Sequence, residues 1–309
     1  MQASFIIPLY NCLPLTQAML ASLRATLPEG LAGEIILVDD GSTDGTRAWL
    51  QDLGAPCRVL LNEANLGFAG ACNRGATAAR GELVFFLNND LVLLPAWYEP
   101  MAAAFTRFAD AGLVGNLQLN AASGAVDHVG IYFNHKGKPA HATDSTLLER
   151  WRGFRVVPAV TGACCAIRRD QWAALGGFDE SYRNGCEDLD LALRALAAGR
   201  RNYVMLRSVV RHHLSQSPGR KLRDEQNTRR LVERWREQIA TLAVRDWCRA
   251  YLARNWDGAR DARDFAVARQ AWLFSLGLVS TPPRAAVEGI RAAMELELAR
   301  WRQLESAAS

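Results

Sequence analysis

The sequence predicts an α/β fold, a mostly parallel sheet flanked by helices, with an all-helical C-terminal extension. Three observations carry that expectation. Short apolar runs alternate with amphipathic stretches over residues 1–115; the runs are apolar on both faces, as buried parallel strands are; and beyond Arg220 only helical periodicity remains.

Ser4 to Tyr10 reads as a strand, Pro14 to Ala25 as a helix and Glu34 to Asp40 as a second strand. Thr43 to Leu53 reads as a helix, Cys57 to Leu61 as a strand, Ala69 to Ala79 as a helix and Glu82 to Leu87 as a strand. From 115 to 160 the pattern weakens, and Gly137-Lys138-Pro139 suggests a long loop that is either disordered or a lid over a site. Val156 to Ile167 returns to strand character, and Glu187 to Ala198, with leucines at 189, 193 and 196, reads as an amphipathic helix. The tail divides into helical segments near 222–255, 258–277 and 283–304, with a stop at Pro282-Pro283. The expected division is an α/β domain over 1–221, in halves 1–115 and 116–221, followed by a helical extension over 222–309.

With 309 residues, 50% of them apolar, the chain can bury a full core. A net charge of +4 is too small to argue for nucleic acid. Seven cysteines, with no pair at two-residue spacing, read as buried, reduced thiols rather than a metal or redox site. No run approaches the ~18 apolar residues of a membrane-spanning helix, and the start has no basic segment followed by an apolar one. The expected location is therefore the cytoplasm, or peripherally the inner membrane face.

In such sheets ligands collect beyond the carboxyl ends of the strands, and here those ends are polar. They carry Tyr10-Asn11, Asp39-Asp40-Gly41-Ser42, Asn62 to Gly67 and Asn88-Asn89-Asp90. A single polar end is a common helix cap, and Ser42 or Thr43 would cap a helix from Thr43. Four on one edge point to a site. The carboxylates Asp39 and Asp40 suit an imide N–H or a ribose hydroxyl, and uracil and thymine both offer the imide. Asn65 to Gly75 has glycines spaced for close backbone approach to a ligand, then a helix N-terminus that favours an anion, yet it matches neither a Walker loop nor the dinucleotide pattern. Asp90 suits a hard divalent cation such as Mg²⁺ or Mn²⁺, which takes carboxylate and phosphate oxygens. Glu187, Asp188 and Asp190 crowd three carboxylates into one helical turn, where crowding favours a proton acceptor and the helix N-terminus opposes it. His212 and His213 lie beside a basic stretch with Arg220 and Lys221, which could complete a metal shell and hold a diphosphate.

These residues resemble glycosyltransferase family 2, whose members have the Rossmann-like GT-A fold. The likeness runs through Ile6 to Asn11, Val38 to Thr46, Asn65 to Ala69, Asn73-Arg74-Gly75 and Leu87 to Asp90. It continues with Thr161-Gly162-Ala163, Gly176 to Glu180, Glu187 to Leu191 and His212, covering residues 3 to 221 in order. The resemblance implies that Pro8, Tyr10, Asn11, Asp39 and Asp40 line a nucleoside pocket, with Asn65, Gly67, Asn73, Asn88 and Asn89 near it. It implies Asp90 as the cation ligand, His212 as its partner with His213 the alternative, and Asp188 as general base beside Glu187. Asn88 departs from the family's usual Asp-x-Asp, so the cation is expected to arrive with the nucleotide. The implied reaction is inverting transfer of a sugar from a UDP- or dTDP-sugar to a glycan, lipid-linked or protein acceptor, with Arg220 or Lys221 and Mn²⁺ or Mg²⁺ on the diphosphate. The stretch Gly124 to Asp144, with Asp127, His128 and His141, also resembles bacterial enzymes of surface polysaccharides or glycoproteins and is expected to order when the donor binds.

Two rival functions are a nucleotidyltransferase and a non-catalytic nucleotide-sugar binder. The first should carry a glycine-rich basic loop after the opening strand, where this chain has Tyr10-Asn11-Cys12; the second needs no base. In the tail, Trp235, Trp247, Trp256, Trp272 and Trp301 among arginines fit either a peripheral membrane contact or a homodimer face. The simpler reading packs them on the catalytic domain or a twin chain.

Overall fold

The computed structural model describes residues 2–54, 57–213, 220–255 and 262–308, with only the backbone described at 220–223, 255, 262–263 and 304–308. The first half runs β1 (Ala3–Leu9), α1 (Leu13–Thr26), β2 (Gly33–Asp39), α2 (Thr46–Asp52), β3 (Cys57–Leu61), α3 (Gly67–Ala78) and β4 (Leu83–Leu87). Alternation along β1 divides its side chains between two cores. Phe5, Ile7 and Leu9 pack with Met19, Leu20 and Leu23 of α1, whereas Ile6 packs with Ala69, Cys72 and Ala76 of α3. Helix α2 begins at Thr46, later than the sequence suggested. Neither Ser42 nor Thr43 caps it: Asp44 Oδ1 accepts from the Thr46 amide and hydroxyl, while Ser42 Oγ accepts from the Asn11 amide.

The second half adds β5 (Leu91–Leu93), α4 (Tyr98–Arg107), β6 (Ala111–Asn120), β7 (Val126–His128), β8 (Ile131–Phe133) and β9 (Pro139–His141). Then follow α5 (Leu147–Arg152), β10 (Phe154–Val157), β11 (Cys164–Arg168), α6 (Arg169–Leu175), α7 (Glu187–Ala197) and β12 (Arg201–His212). The chain ends in α8 (Arg220–Asn255), α9 (Ala262–Ser275) and α10 (Arg284–Ala308). The main sheet has the order β10-β12-β6-β11-β4-β1-β2-β3. Strands β1 to β4 are parallel, as expected; the second half is mixed, because β11 runs antiparallel between β4 and β6.

Strand β1 lies where the chain reverses direction across the sheet, with β2 and β3 on one side and β4 on the other. Its pairing with β4 stops at Ile6–Phe86, while pairing with β2 continues to Leu9–Asp39. Pro8, which has no N–H to give, falls just beyond the last pair with β4, so the two strands part there and open a crevice at their carboxyl ends.

Two compact units result, Met1–Ile131 with His141–Asp224, and Tyr132–Ala140 with Glu225–Ser309. The stretch expected to be a loose loop or lid is instead the paired strands β8 and β9 joined by a turn in which Asn134 Oδ1 accepts from the amides of Lys136 and Lys138. Within the helical unit that turn is part of the core. Phe133 is fully buried, a Cβ on Gly137 (φ +76°) would lie 2.6 Å from Met294 Cγ, and Lys138 Nζ sits 3.1 Å from Glu297 and 5.4 Å above the Trp301 ring. Trp301 is buried and Trp247 stacks on Tyr251 at 4.9 Å, whereas Trp256 lies outside the described residues. Helix α8 kinks at Trp235, and no described helix is long and apolar enough to cross a membrane.

Helix α3 touches the sheet at Gly75, where an added Cβ would meet Ile6 Cγ2 at 2.5 Å and Val38 Cγ2 at 3.0 Å. Gly75→Ala should therefore lower stability, because overpacking of about 1–3 kcal/mol exceeds a helix-propensity gain of about 1 kcal/mol. Urea unfolding reads this directly, and an unchanged or higher midpoint would contradict the packing described.

Candidate active site

The acidic end of β2 is a hub. Asp39 is fully buried; its Oδ2 accepts from Arg47 Nε at 2.6 Å, and both oxygens lie 3.3 Å from the Ser42 amide. Asp40, also buried, accepts from Asn62 Nδ2 at 2.6 Å and from the amides of Leu66 and Gly67 at 2.8 and 2.9 Å. Arg47 also donates to the Asn62 carbonyl, and Arg74 to the Asn62 side chain and to the Leu61 carbonyl. One carboxylate thus holds the turn after β2 and the other folds back the loop from β3 to α3. Each keeps further lone pairs with which to accept from a ligand.

Asn11 is bound to the same edge, its Oδ1 accepting from the Thr43 amide at 2.7 Å, while Tyr10 is half-exposed beside it. Asn65 Oδ1 accepts from Gly67 N at 3.1 Å, and Gly67 takes φ +81° at the start of α3. Asn73 is fully engaged: its Nδ2 donates to the Phe178 carbonyl and Glu180, and its Oδ1 accepts from the Phe178 amide. Asn89 is likewise committed, donating to Thr16 Oγ1 at 2.9 Å and tying the end of β4 to α1.

At the next strand end, Asp90 and His212 meet. His212 Nε2 lies 3.2 Å from Asp90 Oδ1, while His213 contributes its backbone amide to the Asp90 carbonyl at 3.1 Å. Of the two adjacent histidines, His212 is the one whose ring faces Asp90. Asp90 Oδ1 and Asn88 Oδ1 are buried oxygens that accept no hydrogen bond from the described residues. An uncommitted carboxylate oxygen beside an imidazole nitrogen is a donor set that fits a divalent cation. No group of three or more His, Cys, Asp or Glu converges among the described residues, so phosphate oxygens and water would have to complete such a shell. Leu214 to Gly219 lie outside the described residues, as do the side chains of Arg220 and Lys221.

The three acids of α7 point to separate partners. Glu187 Oε2 accepts from Gly185 N at 2.6 Å, and Asp190 is fully buried in an ion pair with Arg194 at 2.8 Å. Asp188 alone is half-buried, and its Oδ2 accepts from the Gly162 amide at 2.7 Å. The neighbouring Ala163 carbonyl accepts from Asn88 N at 2.8 Å, so this segment connects Asp188 to the strand end bearing Asp90. Strained backbone gathers on the same edge: Asn11, Cys12, Asn184 and Cys186 all take φ between +57° and +71°. Next to it His128 is buried with neither ring nitrogen hydrogen-bonded among the described residues, and burial, with His141 and His212 nearby, pushes its imidazole well below the ordinary range. It is therefore neutral near pH 7.

Residues 4–171 match the family described as Glycosyl transferase family 2. The chain belongs to that family. Among its relatives, the N-acetylglucosaminyl-diphospho-decaprenol L-rhamnosyltransferase of Mycobacterium tuberculosis is 29% identical over 241 residues, 68% of this chain and 76% of the relative. The O-antigen biosynthesis protein RfbC of Myxococcus xanthus is 32% identical over 60% of the chain, and an uncharacterized protein, y4gI, of Sinorhizobium fredii is 28% identical over 88%. The chain spans only 15% and 31% of those two proteins. Among solved structures, GalNAc-T7 with UDP, GalNAc and Mn²⁺ superposes with a TM-score of 0.63 at 16% identity, over 87% of this chain and 54% of that one. The likeness shows the GT-A fold for this family 2 chain.

Sequence reasoning did not single out Arg47, which the fold brings against Asp39. Arg47→Ala leaves a buried carboxylate with amide donors alone, and should cost about 1.5–3 kcal/mol, the scale of a hydrogen bond to a charged group. Chemical unfolding measures the loss; a change well under that range would mean that the amides alone satisfy Asp39.

Proposed function

We propose that the chain is an inverting glycosyltransferase that moves a sugar from a UDP- or dTDP-sugar to an acceptor hydroxyl, with a divalent cation on the diphosphate. The observation that carries the reading is the shared edge: Asp90 faces His212 across 3.2 Å, and Asp188 is connected to the same strand end through Gly162, Ala163 and Asn88. Asp39 and Asp40 shape the adjoining crevice at the end of β2, where the nucleoside would lie, with Pro8, Tyr10, Asn11, Asn65 and Gly67 around it. Asp90 and His212 would hold the cation, Mn²⁺ or Mg²⁺, with Arg220 and Lys221 as candidates for the diphosphate. When bound, the cation supplies positive charge where the leaving group gains negative charge.

Asp188 takes the proton from the acceptor hydroxyl. The Gly162 amide fixes one carboxylate oxygen and the Leu189 amide, at 2.8 Å, the other, so each oxygen is oriented while retaining a lone pair. A single general base fits a single displacement from the face opposite the leaving group, which inverts the anomeric carbon. Neighbours solved with UDP and Mn²⁺ and with GDP-Man and Mn²⁺ support a nucleotide diphosphate-sugar and a divalent cation, and the first of them supports uridine. The named rhamnosyltransferase supports a lipid-linked diphosphate acceptor, and with it a place in surface-polysaccharide synthesis at the cytoplasmic side.

Asp188→Asn should fold and bind nucleotide as the parent does, yet lose transfer by about a hundredfold or more, the usual scale for a missing general base. Nucleotide release from a panel of UDP- and dTDP-sugars, with a lipid-linked diphosphate sugar as acceptor, gives the rate. Undiminished transfer by a correctly folded Asp188→Asn would remove Asp188 from the role.

A further inference from the structure

Helix α5 contributes no buried residue, yet it is built from Leu147, Leu148 and Trp151, which are 80%, 53% and 78% exposed. At 3.6 residues per turn these three fall within an arc of about 100°. Arg150 flanks one side of the arc and Arg152 the other, both exposed. The single acid of the helix, Glu149, faces away: it closes a capping box with Thr146 and lies 3.5 Å from Arg155 Nε. Arg207 packs over the helix end, since a Cβ on Gly153 would sit 3.0 Å from its Nε. Beside the helix is a groove of about 460 Å³ whose lining includes Arg150 and Arg207, with Asp144 as its one carboxylate.

We propose that α5 docks the catalytic unit on an anionic membrane, with Trp151, Leu147 and Leu148 entering the boundary between headgroups and acyl chains. Arg150, Arg152 and Arg207 meet the lipid phosphates around them. Both halves of the pattern are needed by an interfacial helix, an apolar face to bury and cations at its flanks. A second copy of the chain fits poorly. Three side chains of a six-residue helix fall far short of the ~800 Å² per partner of a stable interface, and a two-fold contact would set arginine against arginine. The proposal does not rest on the transfer reading, because vesicle binding is measured without donor or acceptor.

The full chain is floated with vesicles rich in phosphatidylglycerol and with vesicles of phosphatidylcholine alone. Binding to the first should exceed binding to the second and weaken with salt. The double variant Leu147→Ala/Trp151→Ala, at exposed positions, should keep its melting temperature and lose binding by about tenfold or more, and Arg150→Glu/Arg207→Glu should lose the preference for anionic lipid. A second exposed apolar stripe, Phe265 and Trp272 on α9 with Leu276 just past its end, provides the control. Trp272→Ala should bind as the parent does. No vesicle binding by the parent, full binding by the α5 double variant, or loss in Trp272→Ala instead would each overturn the proposal. So would a dimer in sedimentation that the α5 double variant abolishes.

Discussion

A carboxylate at the end of one strand and an imidazole at the end of another stand 3.2 Å apart, and the sheet is arranged so that Asp90 and His212 meet. Strand β5 begins at the residue after Asp90 and pairs antiparallel with β12, placing Leu91 opposite His212. The His213 amide closes the same junction on the Asp90 carbonyl. Behind it, β4 is fixed by β1 on one side and β11 on the other. Phe85 and Leu87 enter one core and Phe86 the other, so the polar strand end projects from a rigid, doubly covered layer.

The edge is also held together by the residues that would serve the ligand. Asp40 gathers Asn62, Leu66 and Gly67, Asp39 anchors Arg47, and Asp188 receives Gly162. Carboxylates in these positions shape the crevice before any ligand enters, which limits the reorganisation left for binding. The left-handed residues Asn11, Cys12, Asn184 and Cys186 lie on that edge as well, consistent with local strain held by a well-packed scaffold.

The first four strands were legible because each is a mostly apolar run stopped by polar residues, and their helices are bounded by glycine or proline. Strand β6 was not, since Asn116 and Gln118 interrupt its apolar pattern although both are buried in the sheet. The turn around Gly137 reads as a surface loop because it is polar and glycine-bearing; only its tertiary burial against Met294 and Ile239 makes it core. At the site, the residue types at positions 90, 188 and 212 were legible from motif order. Which histidine faces Asp90 depended on the register of β12, and the division of Glu187, Asp188 and Asp190 among separate partners depended on loops distant in sequence. Nothing local to Arg47 or Arg74 marks them as clamps on Asp39 and Asn62.

The measurement that tests the proposed donor site most directly is calorimetric titration of the purified chain with UDP, dTDP and GDP, each with Mn²⁺ and then with EDTA, for the parent and Asp90→Ala. The site built on Asp90 and His212 requires UDP or dTDP to bind with Mn²⁺, and requires that binding to fall at least tenfold both in EDTA and in Asp90→Ala, about 1.4 kcal/mol. Equal binding with and without metal, or an Asp90→Ala variant that binds as the parent does, would contradict the cation site; binding of none of the three nucleotides would contradict the donor reading itself.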